Sequence, residues 1–308
     1  MTRQARVRAL AKINLDLQVI HRRPDGYHEL RTVFQTISVA DTLDIRLTPA
    51  RRTSLTLRGN VDIPGNLVLR AAEACLDEMK LAARVEFGLR KAIPMGAGLG
   101  GGSSDAAAVL LALPALALRV VPLERMLELA RELGSDVPFF LLGGTAVGLG
   151  RGAELYPLPD LPRHAGLVVA PGVHVSTVEA YRALGRGLTS EPAQNTIDSF
   201  QSRVWQAGGG SGSNDFESVV FAQYPRLGEI KRKLERLGAD RAMMSGSGSS
   251  VFGLFRTKAQ VNRARQSFEE MVFPISLVSR VHYRSLWRRW LQHLNLTNAW
   301  PPRSRSAR

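Results

Sequence analysis

Cysteine is almost absent from this chain of 308 residues, in which Cys75 is the single example. One cysteine cannot form an internal disulfide, which excludes a disulfide-rich secreted scaffold and a zinc site built from clustered cysteines. Such sparing use of cysteine is typical of proteins that work in a reducing compartment. We therefore expect a cytoplasmic location.

Long hydrophobic runs are also missing. The longest apolar run, Ala106–Leu118, contains Pro114 and falls short of the roughly 20 residues that span a bilayer. At the basic N-terminus, Lys12 and Asp16 interrupt the apolar stretch before the hydrophobic region of a signal peptide can form. The sequence predicts neither a membrane segment nor an export signal.

Acidic residues are absent after Glu270, although seven arginines follow it. These arginines supply half of the net charge of +14, so the rest of the chain is only mildly basic. A mildly basic body suits a phosphorylated substrate as well as it suits nucleic acid. A nucleic-acid binder concentrates basic and aromatic residues on its folded body. Here they are concentrated in the tail, so we expect no specific nucleic-acid partner. We expect residues 285–308 to be a flexible, solvated tail; the alternative is a short basic amphipathic helix.

The length suggests two domains at about 150 residues each. We place them at residues 1–160 and 161–284. Alternating apolar residues predict strands at 7–20, 32–39 and 43–47, and helical spacing predicts a helix over 66–80. In the second half, the order of strands and helices favours an α+β sandwich.

The segment Pro94–Ser104 has five glycines in seven residues, between a predicted strand and a helix predicted over 105–113. Glycine loses the most entropy on ordering, so this composition is costly. It leaves bare backbone N–H groups at the positive end of a helix dipole, which suits a polyphosphate. The alternative is a flexible connection that ends in a serine cap.

Two familiar phosphate-binding motifs do not fit this segment. A Walker A loop needs a lysine after its last glycine, and the loop contains none. The string at residues 96–101 satisfies the Rossmann G-x-G-x-x-G pattern, but the acidic residue at the right distance, Glu124, lies in a helical pattern. The H-R-D and D-F-G motifs of protein kinases are also missing. The loop therefore belongs to another phosphate-binding architecture.

Pro94–Ser104 resembles the phosphate loop of the GHMP kinases, which include galactokinase and the homoserine, mevalonate and phosphomevalonate kinases. Four further segments resemble the branch that phosphorylates 4-diphosphocytidyl-2-C-methyl-D-erythritol: Ala11–Leu15, Arg22–His28, Gly134–Phe140 and Met244–Phe252. The resemblance extends from about residue 6 to about residue 280. Another GHMP kinase, such as a homoserine kinase, would give no reason for the Asp-Gly-Tyr-His sequence.

This resemblance implies an α+β fold of two domains, with a ribosomal-protein-like N-terminal domain and a ferredoxin-like C-terminal sandwich. The active site would lie in the cleft between them. The implied activity is ATP-dependent phosphorylation of the 2-hydroxyl of the cytidine-diphosphate substrate, in the non-mevalonate isoprenoid route. Mg²⁺ would arrive with ATP rather than bind in an all-protein site. We expect a monomer or weak homodimer.

The resemblance makes Asp136 the general base and Lys12 its catalytic partner. On spacing alone, Asp136 is either a helix cap or a functional group. Likewise, Lys12 either extends to water or points into the site. Asn14 lies two positions further along the strand and so faces the same side as Lys12. The resemblance makes Asn14 a group that orients the substrate.

The resemblance also implies the groups that hold the two ligands. Tyr27 and His28 would receive the cytosine, Tyr181 would form the other face of an aromatic sandwich, and Thr177 would contact the base. Without the resemblance, Tyr27 and His28 are equally a pair of surface residues. Tyr181 is equally a core aromatic residue, and Thr177 a helix cap. The implied ATP-binding residues are Pro94, Met95, Gly96, Ala97, Gly98, Leu99, Gly100, Gly101, Gly102, Ser103, Ser104, Asn66 and Lys91. Asn66 and Lys91 would lie near the adenine, although they also suit a helix cap and an exposed charge.

Overall fold

The computed structural model describes residues 1–185, residue 200 and residues 212–294. The described strands are β1 Arg3–Arg22, β2 His28–Pro49, β3 Ser54–Gly59, β4 Ala83–Arg90, β5 Thr145–Gly150, β6 Glu154–Pro157, β7 Ala165–Ala170, β8 Arg241–Met244, β9 Val251–Phe255 and β10 Met271–Ser276. The helices are α1 Leu67–Glu78, α2 Gly101–Ala117, α3 Leu123–Leu133, α4 Val137–Leu142, α5 Thr177–Gly185, α6 Phe216–Gln223, α7 Pro225–Arg236, α8 Lys258–Arg265 and α9 Arg280–Leu291, with a 3₁₀ turn over Gln292–Leu294. Each helix in this part of the chain is too short or too polar to span a bilayer.

The first sheet is built around β2, which is long enough to pair with three other strands. It pairs with β1 along nearly its whole length, with β4 over residues 42–49 and with β5 over residues 30–35, always antiparallel. β3 joins the other edge of β4 in parallel, and the connection between them contains α1. The resulting order is β3-β4-β2-β5-β6, with β1 paired on β2. The alanine- and leucine-rich α2 is buried between this sheet and the other helices because almost all of its surface is apolar.

The second sheet has the order β10-β7-β9-β8, and all of its pairs are antiparallel. Numbered by appearance, the four strands stand in the order fourth, first, third, second. With helices between the first and second strands and between the third and fourth, this is a ferredoxin-like sandwich. The predicted fold class is therefore confirmed.

The two sheets share an apolar interface. Ile13 and Ile37 from the first sheet pack in one buried cluster with Phe252, Leu254 and Ile275 from the second. The first sheet ends at residue 157 and the second begins at residue 165, on either side of the predicted boundary. Because β1 also forms one wall of the functional site, this interface fixes the position of that wall.

The C-terminal helix α9 contradicts part of the expected tail. Ser279 caps it by accepting a hydrogen bond from the His282 amide at 3.1 Å. Trp287 is only 1% exposed in the core of the N-terminal domain, and the Tyr283 hydroxyl donates to the Phe140 carbonyl at 2.6 Å. The expectation of a flexible, solvated tail is wrong for residues 285–294, whereas residues 295–308 lie outside the described residues. The charge count concealed an apolar stripe with four-residue spacing, formed by residues 283, 287 and 291.

Candidate functional site

A cavity of about 1450 Å³ opens between the two domains. The N-terminal domain supplies β1, the turn before β2, the glycine-rich loop and the start of α4, while the C-terminal domain supplies residues 174–185 and 246–248. The predicted residues that line it are Lys12, Asn14, Tyr27, His28, Gly96, Gly98, Gly100, Asp136, Thr177 and Tyr181. Segments that are far apart in the sequence therefore meet at one surface.

Lys12 and Asp136 form an ion pair at the centre of this surface. Their Nζ and Oδ2 atoms are 3.4 Å apart, and the side chains are 5% and 31% exposed. Asp136 stands at the N-cap position of α4, but its side chain makes no capping hydrogen bond. The Asp136 side chain therefore does not cap the helix, and its carboxylate faces a buried ammonium and the cavity.

Strand β1 presents Lys12 and Asn14 on the same side, as their spacing predicted. The Lys12 amide donates to the Leu99 carbonyl of the glycine-rich loop at 3.0 Å, and its ammonium donates to the Asn14 side-chain oxygen at 2.8 Å. That oxygen also accepts from the Gly246 amide at 2.9 Å, while the Asn14 amide group donates to Thr32 Oγ1 at 2.7 Å. Asn14 therefore joins the Lys12 ammonium and the Gly246 backbone of the second domain in one hydrogen-bond network. Thr32 is a threonine inside a strand, and no sequence pattern pointed to it.

The glycine-rich loop touches a second glycine-rich loop, residues 245–250, which connects β8 to β9. Gly98 has a φ of +75°, and a Cβ atom there would lie 1.9 Å from the Ser245 carbonyl oxygen. Ser245 Oγ donates to the Gly98 carbonyl at 2.9 Å, and the Ser250 amide donates to the Ala97 carbonyl at 3.2 Å. Gly98 is thus required by contact between the domains as well as by its backbone conformation.

The first turn of α2 begins earlier than predicted, at Gly101 instead of residue 105. Its N-cap residue, Gly100, makes no side-chain capping bond, so the first backbone N–H groups of the helix have no side-chain cap. Ser104 is buried and its hydroxyl donates to the Leu10 carbonyl at 2.7 Å, whereas Ser103 is half-buried. The arrangement offers an anion the positive end of a helix dipole.

Aromatic rings line the far end of the cavity. His28 stacks on Tyr181 with ring centroids 4.5 Å apart and planes 18° apart, and Phe216 meets the edge of Tyr181 at 4.8 Å. The exposed Tyr27 ring has the Arg151 guanidinium 3.4 Å from its centroid. Tyr181 pairs with His28 here, so its predicted sandwich with Tyr27 stays a prediction.

Charge and burial set the protonation of these rings. Burial lowers the pKa of His28, and the Arg22 cation adds to the effect, so the imidazole is neutral at pH 7. Burial raises the pKa of the Tyr181 hydroxyl, as does the negative charge of Asp136. Both side chains are therefore uncharged hydrogen-bonding groups. Near them, Thr177 Oγ1 and Ser247 Oγ are hydrogen bonded at 2.8 Å. This bond connects α5 to the second glycine-rich loop, residues 245–250.

Asn66 and Lys91 stand outside the large cavity. The Asn66 side chain accepts from the Val68 amide at 2.9 Å and so caps α1, and it lines a second cavity of about 530 Å³. Lys91 lines neither cavity. Its ammonium is buried and donates to Asp105 at 2.7 Å and to Asp41. The interpretation of Lys91 as an exposed charge is wrong, and its predicted contact with adenine stays a prediction.

Besides Thr32, further residues at the site escaped the sequence analysis. Arg151 and His174 line the large cavity from segments that connect strands and helices, and Arg151 is flanked by glycines that were a local signal for a tight turn. Asn214 donates to the carbonyls of Met244 and Gly246, each at 2.8 Å, and thereby fixes the second-domain loop. Asn214 lies two residues before α6, whose N-cap residue is Asp215.

Comparison with known proteins shows which family this chain resembles. Residues 66–144 match the model of the GHMP kinases N terminal domain, and residues 202–272 match that of the GHMP kinases C terminal domain. The 4-diphosphocytidyl-2-C-methyl-D-erythritol kinase of Solibacter usitatus is 58% identical over 99% of this chain and 98% of its own length. That of Geobacter sulfurreducens is 42% identical over 86% of this chain and 97% of its own length.

Solved structures agree with this similarity. A crystal structure of 4-(cytidine 5'-diphospho)-2C-methyl-D-erythritol kinase matches with a TM-score of 0.75 and 38% identity, covering 90% of this chain and 99% of the other. Homoserine kinase from Cytophaga hutchinsonii matches with a TM-score of 0.66 and 18% identity, covering 90% and 95%. The second match shows a shared fold only.

Proposed function

Because the chain belongs to the 4-diphosphocytidyl-2-C-methyl-D-erythritol kinases of the GHMP kinase family, we propose that its interdomain cavity is the active site of that reaction. The protein is an ATP-dependent kinase. It transfers the terminal phosphoryl group of ATP to the 2-hydroxyl of 4-diphosphocytidyl-2-C-methyl-D-erythritol, which yields the 2-phosphate and ADP. The single observation that carries the proposed site is the 3.4 Å Lys12–Asp136 pair, which lies beside the glycine-rich loop.

Asp136 accepts the proton of the attacking hydroxyl in the proposed mechanism. Phosphoryl transfer passes through a loose transition state, so positioning the hydroxyl matters more than removing its proton early. Lys12 holds the Asp136 carboxylate in place through their ion pair and stabilises the charge on the transferring phosphoryl oxygens. Asn14 holds the Lys12 ammonium in place through the hydrogen bond at 2.8 Å.

ATP binds, in this proposal, across the glycine-rich loop. The backbone N–H groups of residues 101–103 receive the phosphates at the start of α2, and the adenine occupies the cavity that Asn66 lines. A Cβ atom on Gly102 would lie 3.8 Å from Leu67, the residue next to Asn66, so the loop and this cavity are neighbours. The hydroxyl of Ser103 would suit a Mg²⁺ that arrives with ATP, and such an ion would neutralise phosphate charge.

The aromatic end of the cavity receives the cytidine diphosphate. We assign Tyr27 and Tyr181 to stacking on the base, and His28 and Thr177 to hydrogen bonds with its edge. Their support is their common position on the cavity wall and the neutral state of the His28 ring. Aromatic faces suit any base, so His28 and Thr177 would carry the selectivity for cytosine.

We also propose that the protein acts in the cytoplasm as a monomer or weak homodimer, without a specific nucleic-acid partner. Trp287, an aromatic residue of the basic C-terminal segment, is buried in the protein core, and Trp290 is partly buried against it. Trp287 is therefore unavailable for stacking on bases.

A coupled assay of ADP release with a panel of alcohols tests the function. We expect turnover with 4-diphosphocytidyl-2-C-methyl-D-erythritol and none with homoserine or mevalonate. Turnover with either of the other alcohols instead would contradict the substrate. An inactive protein that retains RNA at physiological salt would favour a nucleic-acid binder.

A further inference from the structure

Three charged side chains are buried together beside the glycine-rich loop. Asp41, Lys91 and Asp105 have side chains that are 0%, 6% and 3% exposed. The Lys91 ammonium donates to Asp105 Oδ2 at 2.7 Å and to Asp41 Oδ2. None of the three is among the residues that line the two cavities described above. Buried charges are costly unless they are paired, and these groups pair with one another instead of facing a ligand.

The same side chains tie the two ends of the loop to β2. Asp41 Oδ1 accepts from the Ala92 amide at 2.6 Å and from the Ile93 amide at 2.8 Å, directly before the loop begins. Asp105 lies in α2, directly after the loop ends. One ammonium therefore joins the entrance and the exit of the loop. The Lys91 backbone is fixed in turn, because its amide donates to the Asn60 side chain at 2.8 Å.

One glycine of the loop is explained by this arrangement. A Cβ atom on Gly101 would lie 3.1 Å from Lys91 Nζ and 3.1 Å from Ile93 Cγ2. Either neighbour would have to move to admit a side chain. A side chain at Gly101 would thus press on the Lys91 ammonium and on Ile93.

We propose that Asp41, Lys91 and Asp105 form a positioning cluster that sets the conformation of residues 94–104, and hence the affinity for ATP, without touching the nucleotide. The inference rests on the proposed function and gives Lys91 a role through the loop instead of a contact with adenine. Burial raises the pKa of Asp105 to about 7 against the opposing effect of Lys91, and Asp41 raises it further. Near neutral pH the cluster therefore takes up a proton, which limits the negative charge beside a loop that receives phosphates.

Asp41→Asn is the sharpest test, because a fully buried residue acts on the nucleotide only through the loop. The amide keeps the size of the side chain and one acceptor oxygen but removes the charge that holds Lys91. We expect the KM for ATP and the Kd for ADP to rise about tenfold, with kcat at saturating ATP and the KM for the alcohol changed less than about threefold. Lys91→Met should behave alike and Lys91→Arg should retain most of the affinity. Lys258→Met, which alters an exposed lysine of α8, is the matched control.

Hydrogen exchange of the peptide spanning residues 92–105 gives a readout that needs no activity. We expect faster exchange in Asp41→Asn and Lys91→Met than in the wild type and in Lys258→Met. If the wild type shows no kinase turnover, the proposed function fails, while exchange and ADP binding still test the cluster.

Two results would contradict the proposed positioning role of the cluster. One is an Asp41→Asn protein with unchanged exchange and ADP affinity. The other is a loss of ADP affinity in Lys91→Met alone, which would indicate direct contact with the nucleotide. If circular dichroism shows that Asp41→Asn does not fold, the comparison of Lys91→Met with Lys91→Arg tests the inference in its place. Equal loop exchange and equal ADP affinity in those two variants would then contradict the inference.

Discussion

At the scale of single residues, the proposed site combines a carboxylate open to the cavity with an ammonium that is almost fully buried. The two groups have different surroundings because Asp136 begins a helix at the cavity edge, whereas Lys12 lies within a strand between two loops. The carboxylate is accessible to a substrate hydroxyl, while the ammonium is held in one position by its surroundings. Each therefore suits the role proposed for it.

Replacing Asp136 by asparagine removes the proposed base and preserves the size of the side chain. We expect kcat to fall by about 10²- to 10⁴-fold, the usual contribution of a positioned general base, while the Kd for ADP changes little. Steady-state kinetics and calorimetric titration with ADP measure the two effects. Unchanged turnover would refute the assignment.

Tyr27→Ala addresses the cytidine end. Loss of one stacked ring should weaken binding by about 1–3 kcal/mol, so we expect a higher KM for the alcohol substrate and little change in the KM for ATP. Tyr156→Ala is a control, since Tyr156 is equally exposed at 51% and lies on β6, outside the residues lining the cavity. Equal KM values for both variants and the wild type would contradict the stacking role.

Asp105 gives the stability of the protein a dependence on pH. Its pKa is about 7 in the folded protein, above the ordinary value of 3.8, so the folded state holds this proton more tightly than the unfolded state does. The contribution of Asp105 to the free energy of unfolding therefore decreases as pH rises from about 4 to about 7.

Urea unfolding across that range should show this decrease in the wild type, with a smaller one in Asp105→Asn, which cannot titrate. Asp77→Asn, which alters an exposed carboxylate on α1, should follow the wild type. If the free energy of unfolding depends on pH in the same way in the wild type and in Asp105→Asn, the proposed titration of Asp105 is contradicted.

At the scale of elements, α9 replaces the expected loose tail with a helix packed into the N-terminal core. Trp287→Ala would leave a cavity in that core, and we expect a loss of about 3–5 kcal/mol in the free energy of unfolding. Chemical denaturation measures it. Ending the chain after Leu294 should cost far less than ending it after Arg284, which also removes Trp287. Equal stabilities of these two truncated proteins would contradict the packing.

The sequence predicted elements best where one local pattern decides them. The glycine-rich loop, the strand bearing Lys12 and the helix capped by Asn66 were found in this way. Residues 32–39 and 43–47 were predicted as two strands but belong to the single strand β2. Asp41 lies between these two predicted strands, and its partners, the amides of residues 92 and 93, are distant in sequence. The same reason hid the ammonium of Lys91 and the contact between the two glycine-rich loops.

At the scale of the whole molecule, the two domains meet through backbone atoms beside the proposed active site. Gly98→Ala would drive a methyl group into the Ser245 carbonyl, so we expect the loops to separate and kcat/KM for both substrates to fall. Gly172→Ala is the matched control: its φ of +74° equals that of Gly98 within a degree, but no atom lies within 4 Å of the added Cβ. Both variants carry the same backbone strain. Equal activities in the two would show that the interdomain contact is dispensable.

Burial of α9 in the N-terminal core also has a consequence for biosynthesis. N-terminal domains generally fold first while a chain is being translated. Here the core around Phe140 is completed by Tyr283 and Trp287, which leave the ribosome more than a hundred residues later. The nucleotide half of this kinase must therefore wait, with part of its interior uncovered, until almost the entire polypeptide has been made.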